Sequence, residues 1–201
     1  MNDSDDTRSD AYTRRLETLG DAGWKRFVDV QAPYRWNIRR LKLGRTLDVG
    51  CGVGRNLLHL GGDSVGVDHN AESVGVANAR GCAAVTTEAF ATSQYAQPDK
   101  FDSLLVAHVV EHMPLAEAAE LLAYYLPFVR PGGNVVLIAP QEAGFRSDET
   151  HVEFMDFDKL AAIFERAGVE SERSYSFPFP RFVGRLFVHN EFVAVGRKAR
   201  G

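Results

Sequence analysis

The chain has 201 residues, 45% hydrophobic and 25% charged; these are ordinary globular values that exclude a disordered, collagen-like or coiled-coil chain and point to one domain. Its 23 basic and 27 acidic side chains leave a net charge of −4, so the diffuse basic field that carries most nucleic-acid affinity is missing and no nucleic-acid partner is expected. Cys51 and Cys82 make neither a disulfide framework nor a zinc site, no run approaches the ~20 apolar residues that span a bilayer, and the Asp-rich start is no signal peptide, so the expectation is a cytoplasmic protein with no membrane partner and no metal.

Residues 1–10 read as a solvated, disordered tail. Residues 11–43 read as one or two helices broken near Pro33, and the segment up to residue 44 is set apart from a main domain over 45–196. Two readings are open for its aromatic and basic stretch, which carries Trp24, Phe27, Tyr34, Trp36, Arg35, Arg39 and Arg40. It is either a helix packed on a sheet edge with a solvated face, or a lid over a bound ligand.

From residue 46 onward, short apolar runs alternate with helical patterns. TLDVG (46–50), SVGVD (64–68), AAVT (83–86), FDSLLVAHV (101–109) and NVVLIAP (134–140) read as buried parallel strands. A helix is expected to open after the glycines that follow the first run. Another is expected over 71–80, capped by Asn70 and ending at Gly81. A third covers 114–126, with Leu115, Ala118, Ala119, Leu122 and Leu126 on one stripe. Pro131, Gly132 and Gly133 then turn the chain into the fifth strand. The helix over 157–167 has Asp156 as N-cap and Gly168 as C′ residue. Residues 170–177 and 186–196 are both extended with no helix between, so they should pair antiparallel. The expected fold is α/β: a doubly wound, mostly parallel seven-stranded sheet with a C-terminal antiparallel hairpin.

The chemistry concentrates in LDVGCGVGRN (47–56). Gly50, Gly52 and Gly54 follow a strand, where glycines let the backbone turn tightly and let a ligand approach the main chain. Asp68 ends the second strand, where a carboxylate can accept from both hydroxyls of a ribose. Together they indicate an adenosine-containing cofactor. A dinucleotide loop reads G-x-G-x-x-G, yet Arg55 stands where its third glycine belongs. Asp48, just before the loop, suits a cofactor carrying an ammonium or a sulfonium.

With these residues in place the sequence resembles the class I S-adenosylmethionine-dependent methyltransferases, of the small-molecule type met in quinone and secondary metabolism. The matching segments are LDVGCGVGRN, VGVDHN (65–70), FDSLLVAHVVEHM (101–113), LPFVRPGGNVVLIAP (126–140) and HVEFMDFDKLAAIFERAG (151–168), in the family's order. The resemblance implies a Rossmann-like methyltransferase fold and S-adenosylmethionine as cofactor. It implies that Gly50, Cys51, Gly52 and Gly54, with Asn56 behind them, form the loop under the methionine part, and that Asp48 lies near its amino group. Asp68 would take the ribose diol and His69 would pack beside the adenine. Glu88 and Ala89 would sit at the adenine edge, where the family more usually has Asp. Ala107 and His108 would lie next to the methyl donor. Cys51 has no basic partner close in sequence, so it reads as a loop residue and not a nucleophile.

For the acceptor side, sites of open α/β sheets lie at the carboxyl ends of the strands. That narrows the six histidines to His108 and His151 as catalytic candidates, with His151 the candidate base. His59 reads as structural, His189 as structural or exposed, and His112 as a cap or wall residue. SFPFPRFVGRLF (176–187) reads as a further wall of an acceptor pocket. The expected activity is methyl transfer to a small-molecule acceptor. The alternatives are a non-catalytic S-adenosylmethionine-binding module and a nicotinamide-dependent oxidoreductase.

Overall fold

The computed structural model describes residues 31–200. The expected tail over 1–10 and most of the N-terminal helical segment, including Trp24 and Phe27, lie outside the described residues. The elements in chain order are α1 (Ala32–Arg40), β1 (Thr46–Val49), β2 (Val65–Asp68), α2 (Ala71–Ala79), β3 (Ala83–Thr86), α3 (Thr87–Phe90) and β4 (Phe101–Ala107). They continue as α4 (Leu115–Tyr125), β5 (Val129–Pro140), α5 (Glu142–Arg146), α6 (Phe157–Ala167), β6 (Val169–Phe177) and β7 (Glu191–Lys198). All seven strands form one sheet in the order β3-β2-β1-β4-β5-β7-β6. The first five are parallel, and β7 lies antiparallel to both β5 and β6. The chain is thus doubly wound with its hairpin at the C-terminal edge, as its pattern of elements predicts.

Alternation along the strands separates two cores. Leu104, Val106, Val135 and Leu137 face one layer with Leu122 of α4 and Leu160, Ile163 and Phe164 of α6. Leu105, Val136, Ile138, Val193 and Val195 face the other, with Ile38 of α1 and Leu41 just beyond it. A side-chain period of two makes each strand serve both layers, which is why its sequence is apolar throughout. On α1, Trp36 stacks on Phe177 with centroids 6.3 Å apart, and the Arg40 guanidinium lies 4.6 Å from the Trp36 ring centroid and 4.7 Å from that of Tyr175. This part of the N-terminal segment packs across one face of the sheet and reaches its β6 edge through Trp36 and Arg40.

The caps act as their residue types dictate. The Asn70 side chain accepts from Ser73 N–H and that of Asp156 from Lys159 N–H. Gly168 ends α6 with φ +72°, a conformation that costs a residue with a Cβ.

Three expectations fail. No α-helix follows the glycine loop: the chain makes turns and one 3-10 turn, Leu57–His59, before Leu60 becomes extended. Only a short run separates Gly54 from Gly61 and Gly62, too little to repay a helical nucleus; His59 therefore sits on a turn and lines a shallow groove with Leu60 and Gly61, away from the strand ends. Pro131–Gly133 is not a turn ahead of the fifth strand but a bulge within it. The register passes from Phe101↔Val129 to Ser103↔Asn134, and Gly132 takes φ +70°. The last strand begins at Glu191 and not at 186, because Arg181–Arg185 forms a 3-10 turn and the loop behind it is tied by Asn190. That fully buried amide donates to Gln141 Oε1 and Ser176 Oγ and accepts from Phe179 N–H. Among the described residues no helix is long and apolar enough to cross a membrane.

Candidate active site

The carboxyl ends of β1 and β4 and the start of β7 open on a cavity of about 390 Å³. Cys51, Gly52 and Asn56 line one end of it, and His108, His112 and His151 line the other.

At the first end the glycine loop is strung on β2: Gly50 and Cys51 both donate N–H bonds to Val67 O, at 2.8 and 3.1 Å. Its three glycines have φ of +76°, +50° and +80° but answer different demands. A Cβ on Gly50 would stand 2.1 Å from Val109 Cγ2, and one on Gly54 would crowd Cys82 and Ala77 at 3.0–3.1 Å. A Cβ on Gly52 would meet nothing within 4 Å; it would project into open space. Gly50 and Gly54 are therefore packing glycines, and Gly52 is the one that keeps space free.

Asp68 is buried at the end of β2, and its oxygens accept from Gly52 N–H (2.7 Å) and Asn70 N–H (2.9 Å). Asp48 is fully buried, and neither oxygen has a hydrogen-bond partner among the described residues. Burial, reinforced by the charge of Asp68, pushes its pKa up to about 8. A buried carboxyl in this state is waiting for a cation or a donor. The His69 ring is mostly exposed, 3.5 Å from Asp68 Oδ1. Glu88 and Ala89 lie on the exposed side of α3. The Cys51 thiol is buried and pushed far above the usual thiol range by that burial, so it is no nucleophile.

At the other end His108 follows β4 with φ +58°. Its ring is held between two buried carboxylates: Nε2 lies 2.9 Å from Glu191 Oε1, and Nδ1 lies 3.4 Å from Glu111 Oε1. Burial opposes charge on this ring, but the bonds to Glu111 and Glu191 outweigh it and raise the pKa to about 10. His108 is thus an imidazolium at neutral pH. His151 lies 2.7 Å from Phe145 O through Nδ1 and stacks on the Phe145 ring. His112 packs against His151 with ring centroids 4.9 Å apart. Tyr34 also reaches the cavity, its hydroxyl donating to His189 O at 2.6 Å.

The sequence pattern did not single out Glu191 or Glu111 as site residues, whereas Tyr34 belongs to the aromatic segment read either as a packed helix or as a lid. Glu191 carried a signal, a lone acid opening an apolar strand. Glu111 carried none, because its burial depends on elements distant in the chain. His189 is exposed, one of the two readings expected for it, and also lines the cavity. The segment 176–187 is not a wall: Phe179, Phe182 and Leu186 point to solvent, and the wall is made by Val188–Glu191.

The fold is a mostly parallel sheet with a glycine loop after β1, an acid at the end of β2 and an antiparallel β6–β7 pair, a geometry that suits an adenosine-type cofactor. Residues 47–137 match the family model described as a methyltransferase domain. A methyltransferase from Archaeoglobus fulgidus is similar in structure, with TM-score 0.66, 20% identity, and 87% of this chain and 97% of that one covered. So is a TehB-like methyltransferase from Corynebacterium glutamicum, with TM-score 0.67, 21% identity and coverage of 96% and 100%. A Haloferax volcanii complex of the Trm112 methyltransferase activator with a putative methyltransferase contains a chain matching at TM-score 0.70 and 16% identity, with coverage of 95% and 97%. No curated protein matches the sequence. Over residues 47–137 the chain is thus similar to a methyltransferase domain, and over most of its length it shares the fold of these solved structures. The unpartnered Asp48 carboxyl and the free space at Gly52 fit a cofactor with a cationic amino-acid end.

Proposed function

We propose that the chain methylates a small-molecule acceptor held in the cavity beside His108 and His151. The observation that carries this reading is the continuity of the cavity: one volume of about 390 Å³ runs from Gly52 to His151. That lies in the range of small-molecule sites. S-adenosylmethionine supplies an electrophilic methyl group on a sulfonium that departs as a neutral thioether.

The remaining work falls to the chain. The Gly50–Gly54 loop, with Asn56, forms the floor under the methionine end, and Asp48 ionises against the ammonium brought beside it. Asp68 has lone pairs left after its two backbone bonds, and these take the ribose diol, with His69 against the adenine and Glu88–Ala89 at its edge. Ala107 and His108 flank the reacting centre. His108, as an imidazolium, donates hydrogen bonds and orients the acceptor; it is no base. His151 is the base candidate for a formal reason. Its Nδ1 faces a carbonyl, which only accepts, so the proton sits on Nδ1 and Nε2 keeps its lone pair. The acidic chain is read as having no nucleic-acid substrate, and its two free cysteines suit the reducing cytoplasm.

Calorimetry with S-adenosylhomocysteine and with NAD, followed by an acceptor screen monitored for product methylation, tests the reading. Tight S-adenosylhomocysteine binding with turnover of a small acceptor supports it. Binding without turnover across hydroxyl, amine and carbon acceptors would favour the non-catalytic module.

A further inference from the structure

Glu111, His112 and His151 each offer one ligand atom, and the three atoms lie within 4.8 Å of one another. We propose that these residues form a divalent transition-metal site on the acceptor wall of the cavity.

Three observations support it independently. Glu111 is 1% exposed, and the partner described for its carboxylate is the His108 ring, whose Nδ1 lies 3.4 Å from Oε1. One partner leaves most lone pairs of a buried carboxylate unmet, and a cation on its other side removes that cost. Second, both imidazoles have Nδ1 against a backbone carbonyl, His112 on Thr150 O at 3.2 Å and His151 on Phe145 O at 2.7 Å. Each proton is therefore placed on Nδ1 and each lone pair on Nε2, the outer-shell arrangement that orients metal-binding histidines. Third, the two pieces of chain are lashed together. Val152 and Glu153 donate their N–H groups to Glu111 O at 2.8 and 3.2 Å, and Leu115 N–H bonds Glu153 Oε2 at 2.7 Å. The loop bearing His151 thus cannot drift from the turn bearing Glu111 and His112.

Two imidazoles and one carboxylate are the donor set of Zn²⁺, Mn²⁺ or Fe²⁺ sites that keep coordination positions open. Ligand atoms about 2.1 Å from a tetrahedral metal stand about 3.4 Å apart. Small turns of two partly exposed rings close that difference. The open positions face the cavity and would take oxygen ligands, water or an acceptor hydroxyl. This last role rests on the methyl-transfer reading and would replace His151 as base, because a ligating Nε2 has no lone pair left for a proton; metal binding itself does not rest on that reading.

The test uses the full chain, stripped with a chelator and titrated with Co²⁺ by visible absorption and with Zn²⁺ by calorimetry. One equivalent of Co²⁺ should bind with d–d bands. His112→Ala and His151→Ala should each weaken binding roughly 100-fold or more, since each removes one of three ligands. Melting curves check folding, and His112→Gln replaces His112→Ala should the latter not fold. A folded wild type that binds Co²⁺ no more tightly than the double His variant overturns the site. S-adenosylhomocysteine titrations on the same samples separate the two failures: intact cofactor binding without metal overturns the metal site alone, and lost cofactor binding overturns the methyl-transfer reading instead.

Discussion

The two ends of the cavity are built by opposite means. The glycine-loop end is backbone: Gly50 and Cys51 hang on Val67 O, Gly52 leaves space, and Asp68 accepts two main-chain N–H groups. Its parts lie within 21 residues of chain, from Asp48 to Asp68. The acceptor end is side chain. His108, just after β4, meets Glu191 on β7, 83 residues on, and His112 meets His151 across 39 residues. Backbone geometry set by adjacent elements is stiff and insensitive to pH. A cluster of imidazoles and carboxylates is adjustable and responds to protons and to cations. A methyl donor common to many reactions suits the first construction, and an acceptor that differs between enzymes suits the second.

Four variants probe this contrast, in descending size of effect. Gly52→Val should abolish S-adenosylhomocysteine binding in calorimetry. Its branched side chain would enter the open space and strain a φ of +50°. A folded variant that still binds would mean that the loop is only a turn.

His151→Ala should lower turnover by about 10²–10⁴-fold, the usual contribution of a positioned acid or base, with cofactor affinity unchanged. A fall in cofactor affinity as large as that in turnover would erase the division between the two ends.

Asp68→Ala should weaken S-adenosylhomocysteine binding by about 1.5–3 kcal/mol, the worth of hydrogen bonds to a charged group. Because Asp68 also holds Gly52 N–H, the Asn variant should recover part of the affinity. An unchanged dissociation constant for Asp68→Ala would remove Asp68 from the ribose site.

Asp48→Asn sharpens the comparison from the other side, because Asp48 is a charge-sensitive group buried under the glycine loop. Its folded pKa of about 8 lies above the ~3.9 of a free Asp. The unfolded chain therefore releases this proton first, and stability falls as pH rises from about 4 to about 8. Asp48→Asn should flatten that part of the Tm–pH profile and raise the Tm of the ligand-free chain by a few degrees near pH 8. It should also weaken cofactor binding. A profile identical to wild type would show that Asp48 is ionised throughout.

What the sequence determined by itself was whatever depends on neighbours in the chain. The parallel strands, the capped helices α2 and α6, the antiparallel ending and the glycine loop with its acids follow from period, caps and turn residues. Each needs only a few adjacent residues to agree. Local reasoning failed at the helix after the loop and at the start of the last strand. There Gly61 and Gly62, and then the Asn190 network reaching Gln141 and Ser176, override the local pattern. The acceptor end was decided by tertiary structure alone. Nothing in VVEHM says that Glu111 will be sealed from water, or that His151 will arrive beside His112. The burial of Glu111 and the charge of His108 arise only when β4, β7 and the loop after α5 close on one another. Desolvation and charge pairing depend on distance in space, and the order of residues along the chain does not record it.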